Sequence, residues 1–286
     1  MPESVRLSVR KTYKLFIGGA FPRSESGRSY PVRSAAGDFL ANAALASRKD
    51  VRDAVRAARS AFGGWAKATA YNRGQILYRI AEMLEGRRDQ FVGYDIEPST
   101  VDAAIDRWVW YAGWADKIAT VYGGANPVAG PYFNLSAPEP TGVVGIDAPA
   151  DPLLGLVSVL APAIVTGNTA VVLASEQNPL PAITLAEVLA TSDLPAGVLN
   201  LLTGVTAEVA PWLASHEDVD GLDLAGATEV AWGDLEAAGA TTLTRVLRPS
   251  GTGADAVEPD WTVPPEGPRR ILAFCEIKTV WHPTGR

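Results

Sequence analysis

Cysteine is almost missing from this chain of 286 residues: Cys275 stands alone, and His216 and His282 complete the histidines. A single thiol cannot close an internal disulfide, and with two imidazoles it cannot build a cysteine-based zinc site, so no metal centre is expected. Such cysteine usage fits a reducing cytoplasm. Clusters of positive charge are lacking as well. Arg87-Arg88 and Arg269-Arg270 are isolated pairs in a chain of formal net charge −7, which argues against nucleic acid or an anionic membrane surface as partner. Residues 1–14 hold no apolar stretch of secretory length, so nothing directs export and a cytoplasmic protein is expected. Charge is absent altogether from residues 152–175, long enough to span a bilayer. Pro162 interrupts that stretch, however, Gly167-Asn168 is a turn signal, and residues 170–173 form a short β-type run. The expectation is a buried helix, a turn and a buried strand, with no membrane span.

What is present is 47% hydrophobic residues, enough to bury a core. Residues 15–42 mix Gly, Pro, Ser and aromatics and predict short strands and turns. Ser47, with Asp50 three residues on, is a capping-box start for a helix whose Val51, Val55, Ala58, Phe62 and Trp65 share one face. A second periodic run carries Ile76, Leu77, Ile80, Ala81 and Leu84, and a third Val101, Ala104, Ile105, Trp108, Tyr111, Ala112 and Ile118. Beyond Gly142, apolar runs at 143–146, 170–173, 198–202, 221–224 and 242–247 alternate with helical stretches near 153–165, 181–191, 206–214 and 228–238. Five strands joined by four crossovers predict an α/β fold with a Rossmann-type doubly wound parallel sheet, whose ligands sit at the carboxyl ends of the strands. Residues 249–270, rich in Pro, Gly and Asp without periodicity, read as a linker. A last strand spans 274–281, with Cys275, Ile277, Thr279 and Trp281 on one side.

Several ordered blocks carry a family resemblance. Pro140-Thr141-Gly142-Val143-Val144-Gly145-Ile146, Ala161-Pro162-Ala163, Gly167-Asn168-Thr169 and Ser175-Glu176-Gln177-Asn178-Pro179 occur in this order. Leu194-Pro195-Ala196-Gly197, His216 to Gly226, Tyr111-Ala112-Gly113-Trp114-Ala115 and Glu276-Ile277-Lys278-Thr279-Val280-Trp281-His282-Pro283 complete the set. Together they resemble the coenzyme domain of aldehyde dehydrogenases, over nearly the whole chain. The resemblance implies an N-terminal segment of strands and three helices (1–120), a coenzyme-domain core (121–248) and a β oligomerisation extension. That extension draws on residues 129–140 and the terminal strand at 271–286.

In that family a cysteine thiolate attacks the aldehyde, hydride passes to NAD or NADP, and a glutamate activates water to hydrolyse the thioester. Departures fall where this chemistry is done. The cysteine belongs to a second domain entered after the fifth strand, and here residues 249–270 stand in its place. Cys275 aligns with the terminal strand instead, in a mid-strand setting that does not lower a thiol pKa. Arg245-Val246-Leu247-Arg248-Pro249 occupies the stretch where the glutamate would follow, and no carboxylate lies between Glu236 and Asp255. Asp151, in Pro149-Ala150-Asp151-Pro152, takes the place of an oxyanion-holding asparagine, and is expected to cap the following helix. No catalytic residue is therefore expected. The cofactor-binding set that the resemblance implies is Ser175, Glu176, Gly204, Gly226 and Ala227. Leu173 in place of a lysine and Ala227 in place of a serine imply weak NAD or NADP binding, with backbone N–H groups near Gly226 left to meet phosphate. The implied role is a non-catalytic subunit partnered with a full-length aldehyde dehydrogenase. The alternatives are an NAD(P)-dependent aldehyde oxidoreductase, a stand-alone nucleotide-binding module, or a homodimer whose terminal strand folds back on residues 130–137.

Overall fold

The computed structural model describes residues 10–227, 231–249, 258–265 and 267–285. Strands β1 (Thr12–Tyr13), β2 (Ser29–Arg33) and β3 (Phe39–Ala44) form a small sheet in the order β1-β3-β2. Helix α1 (Arg48–Lys67) begins where the Ser47 and Asp50 pattern places it. The buried Asp50 carboxylate accepts hydrogen bonds from Ser47 N (2.8 Å) and Ser47 Oγ (2.9 Å), and also from Ser24 Oγ and Glu25 N, so it fastens the helix start to the preceding turn. Helices α2 (Ala70–Glu85), α3 (Arg88–Val92), α4 (Pro98–Trp114) and α5 (Ile118–Tyr122) follow. The three long helices are those expected. The five-residue α3 and α5 are too short to leave a periodic pattern in the sequence.

After β4 (Gly124–Asn126) and β5 (Tyr132–Pro140) the chain alternates strand and helix. The succession is β6 (Val143–Asp147), α6 (Leu154–Val165), β7 (Thr169–Leu173), α7 (Pro179–Leu189), β8 (Leu199–Leu202) and α8 (Thr206–Ala214). Then come β9 (Gly221–Asp223), α9 (Trp232–Ala240), β10 (Arg245–Leu247), α10 (Arg269–Leu272) and β11 (Cys275–Pro283). Strands β6 to β10 build a parallel sheet in the order β10-β9-β6-β7-β8. Side-chain alternation divides its core. Val144, Ile146, Ala170 and Val172 pack with residues of α2, α4, α6 and α7, whereas Val143, Val171 and Leu173 pack with residues of α1 and α8. The sheet is doubly wound, as expected. The uncharged segment becomes the wholly buried α6, a turn and β7, and no helix among the described residues is long and apolar enough to cross a membrane.

Strand β10 is shorter than its sequence suggests. It starts at Arg245 rather than 242 because Leu243 adopts a left-handed conformation (φ 58°) with 93% of its surface exposed. Thr242 Oγ1 and Thr244 N both donate to the Gly239 carbonyl, at 3.1 and 3.0 Å, which closes a turn where β-branched residues read as strand. The expected start of α9 at 228–230 lies outside the described residues, as do 250–257 and 266 of the Pro- and Gly-rich stretch. At the far end β11 pairs antiparallel with β5 from Cys275↔Pro140 to Pro283↔Tyr132. Strand β4 takes the other edge of β5, so β11 is an edge strand of this sheet.

Candidate functional site

In an open parallel sheet the connections change direction at one place, and the crevice there, at the strand carboxyl ends, is where ligands collect. Here that place lies between β6 and β9. The paired strands end in two buried carboxylates, Asp147 and Asp223. Asp223 is 1% exposed; its Oδ1 accepts from Ala225 N at 3.1 Å and its Oδ2 is ion-paired with Arg270. The turn that follows uses its own N–H groups. Gly226 N donates to the Asp147 carbonyl (3.0 Å) and Ala227 N to the Leu224 carbonyl (3.1 Å). A Cβ on Gly226 would come within 2.0 Å of the Ala148 carbonyl oxygen, so close approach of the two backbones accounts for glycine there.

Ser175, Glu176 and Gly204 lie on the other side of β6. Glu176 leaves the end of β7, and its Oε2 accepts from Thr206 N, the first residue of α8, at 3.1 Å. The Glu176 carbonyl accepts from the Tyr30 hydroxyl at 3.4 Å, and burial of that phenol, with Glu176 nearby, holds its pKa above the ordinary range. Gly204 is buried against Ala46. The five residues therefore fall into two groups: Ser175, Glu176 and Gly204 gather at the ends of β7 and β8, and Gly226 and Ala227 at the end of β9.

The start of α6 forms a third cluster. Asp151 Oδ1 accepts from Leu153 N (3.0 Å) and Gly155 N (2.9 Å), which is the capping role expected of it. Glu258 reaches back over this turn: its Oε2 accepts from Ala150 N at 3.0 Å, and its Oε1 from Asp151 N at 3.3 Å and from Trp261 Nε1 at 2.6 Å. The Trp261 indole is 8% exposed and lies where a Cβ on Gly155 would be only 2.9 Å from it. Arg107, buried in α4, donates to Ser158 Oγ (2.5 Å) and to the carbonyls of Trp261 (2.9 Å) and Val263 (3.3 Å). The stretch that reads as a linker thus has its Trp261 region docked on α4 and α6.

Arg107, Asp147, Asp223, Glu258, Trp261 and Arg270 were not among the residues expected at the site. Two left a trace: Arg107 sits on the apolar face of its helix between Ala104 and Tyr111, and Asp223 stands between leucines in a buried strand. Cys275 is 5% exposed, and its S–H donates to the Ile271 carbonyl at 3.3 Å. Burial raises its pKa. Among the described residues no group of three or more His, Cys, Asp and Glu could hold a metal ion.

The family model for the aldehyde dehydrogenase family matches residues 21–257. The chain belongs to the aldehyde dehydrogenase family. Retinal dehydrogenase 2 of Gallus gallus is 36% identical over 260 residues, covering 85% of this chain and 49% of that protein. The putative aldehyde dehydrogenase DhaS of Bacillus subtilis is 34% identical over 266 residues, 88% of this chain and 53% of its own. Among solved structures, HpcC from Thermus thermophilus superposes with a TM-score of 0.77 at 32% identity, covering 82% of this chain and 47% of that one. An NAD+ complex of aldehyde dehydrogenase from Bacillus cereus gives a TM-score of 0.76 at 29% identity, with 82% and 50% covered. The chain spans about half the length of the aldehyde dehydrogenases it matches.

Proposed function

We propose that this member of the aldehyde dehydrogenase family is a non-catalytic structural or regulatory subunit that works beside a full-length dehydrogenase. The observation that carries this reading is the arrangement at the start of α6. Oxidation of an aldehyde through a covalent adduct needs hydrogen-bond donors aimed at an oxygen that turns negative. At the turn the resemblance assigns to that task, the N–H groups of Ala150, Asp151, Leu153 and Gly155 already donate to the carboxylates of Asp151 and Glu258. A developing oxyanion would meet two negative charges there. The thiol supports the same reading, since burial moves the Cys275 pKa opposite to what a nucleophile requires.

A dinucleotide fits the crevice at the carboxyl ends of β6 and β9 poorly. The N–H groups of Ala225, Gly226 and Ala227 serve internal acceptors, and two buried carboxylates stand at the adjoining strand ends. The expected dissociation constant for NAD or NADP is about 1 mM or weaker. Calorimetric titration checks this, and a micromolar constant would favour a stand-alone nucleotide-binding module. Strand β11 folds back on β5 of its own chain, as the homodimer alternative expects. Its outer edge, however, is unpaired among the described residues, with Ile277 and Trp281 exposed, and this supports association with a dehydrogenase that adds a strand to it.

The purified chain is expected to produce no NADH or NADPH from aldehydes. Turnover that disappears in Cys275→Ala would instead establish the oxidoreductase. Co-expression with a full-length dehydrogenase should give a complex lost on deleting residues 272–286. A stable homodimer that never associates with such an enzyme would remove the subunit reading.

A further inference from the structure

A buried charge needs compensation, and among the described residues no carboxylate hydrogen-bonds Arg107; Asp151, at the start of α6, attracts it only through space. Arg107 is 7% exposed, and its three acceptors are a hydroxyl and two carbonyls, all neutral. Holding an ion in such a setting is costly unless further polar groups or a counter-ion meet it. The residue lines a cavity of about 650 Å³ bounded by α4, α6 and the segment that carries Trp261 and Arg270, a volume suited to a small organic molecule.

Other groups at this cavity favour an anion. Arg269 and Arg270 line it with Arg107, against one lining carboxylate among the described residues, Asp260, which is engaged by Thr262 N and Oγ1. Asp223 offsets Arg270, whose buried Nε still lacks an acceptor. The Tyr111 hydroxyl makes no hydrogen bond to the described residues. Burial lifts its pKa to about 12, while Arg270 and Arg107 pull it down, so both cations act on that oxygen. Much of the remaining wall is apolar, from Tyr122, Leu272, prolines and the rim of Trp261, whose ring is itself faced by the Arg270 guanidinium at 5.4 Å.

We propose that this cavity binds a small aromatic carboxylate, its anionic group between Arg107 and the Tyr111 hydroxyl and its ring against Trp261. The Arg107 Nη atoms already serve Ser158 Oγ and the Trp261 and Val263 carbonyls, so a carboxylate would be held by the remaining guanidinium N–H groups, by charge and by the Tyr111 hydroxyl. The three guanidinium groups at the wall outnumber its one described carboxylate. Apolar walls set the preference over inorganic phosphate, which would leave them wet. The inference does not depend on whether the chain is catalytic or which protein it joins.

Titration calorimetry of the full chain with benzoate, benzamide and inorganic phosphate tests it. Benzoate should bind with a dissociation constant below about 1 mM and raise the melting temperature, while neither of the others should do so. Arg107→Gln should abolish binding. Because that substitution also removes three internal hydrogen bonds, Tyr111→Phe is the second variant: it removes a hydroxyl that makes no hydrogen bond to the described residues, should fold normally, and should weaken benzoate roughly fivefold. The proposal fails if benzoate does not bind at ~10 mM, if benzamide or phosphate binds as tightly, or if folded Tyr111→Phe keeps the parent affinity.

Discussion

Strands β6, β7 and β8 share a sheet with β9 and β10, yet the two sides are held by different forces. On one side every residue of β6, β7, β8 and α6 is buried. On the other, β9 is buried, but β10 is half-buried throughout and α9 buries only Leu235 and Gly239. Charged contacts serve this second side: Arg270 with Asp223, Arg245 with Glu276, and Arg248 with Glu236. Apolar burial is non-directional and scales with area, so the first side tolerates changes of salt and pH. The second depends on particular partners, and of its ion pairs only Arg270–Asp223 is sufficiently buried to matter greatly for stability.

The sharpest way to separate the two sides is a truncation on each. Ile146→Ala in β6 removes a fully buried side chain and should cost about 4 kcal/mol. Leu247→Ala in β10 should cost under about 2 kcal/mol, because its surroundings are already half open. Urea unfolding of both variants measures the difference, and equal losses would show that the division is not energetic. Next in size is the ion pair. Arg270→Met leaves the Asp223 carboxylate buried and should cost about 3 kcal/mol, whereas combining it with Asp223→Ala should restore most of that loss. If the double variant is no more stable than Arg270→Met, the pair is not the organising contact on this side.

The same division explains what could be read from the sequence. The strands at 143–146 and 170–173 were legible because continuous apolar runs bounded by turn signals are what a strand covered on both faces requires. The Asp50 cap was legible because its partner lies three residues away. By contrast Arg270 meets Asp223 across 47 residues, and Arg107 meets the Trp261 carbonyl across 154. Such pairings leave no local period, only a charged residue in an apolar setting. Glu258 and Trp261 sit in a stretch whose Pro and Gly content reads as a spacer, because composition records flexibility of the free chain and not the slot that Gly155 leaves for an indole. Strand β10 reads too long for a related reason: the turn at Leu243 overrides the β propensity of its threonines.

Trp261 therefore tests whether the docked segment contributes to the fold. Trp261→Ala removes an indole that is 8% exposed, together with its hydrogen bond to Glu258. The expected loss is about 2 kcal/mol, below the range for a central core tryptophan because a surface segment can settle into the gap. A change within experimental error of zero would mean that the segment lies on α6 without stabilising it.

Cys275 gives the smallest effect and the one most specific in form. Its thiol begins β11, is almost fully buried, and has its pKa raised chiefly by loss of hydration. In the unfolded chain the same thiol ionises near the ordinary value of about 8.5. Below that pH the folded and unfolded states both hold the proton, and its contribution to stability is complete. As pH rises further the unfolded state gives up the proton first, so stability falls until the folded thiol also ionises, with a slope of at most about 1.4 kcal/mol per pH unit for one proton. Tyr13, Tyr30 and Tyr111, whose pKa values are likewise raised by burial, add to the decline as free tyrosine begins to titrate toward pH 10. The window between about pH 8.5 and 9 therefore reports chiefly on the cysteine. Cys275→Ala should cost roughly 1 kcal/mol at neutral pH through lost packing and should flatten the stability profile across that window. A variant that keeps the parent slope would place the titrating group elsewhere. A parent chain with no slope at all would mean that the thiol ionises as readily in the fold as in water, and would reopen Cys275 as a nucleophile.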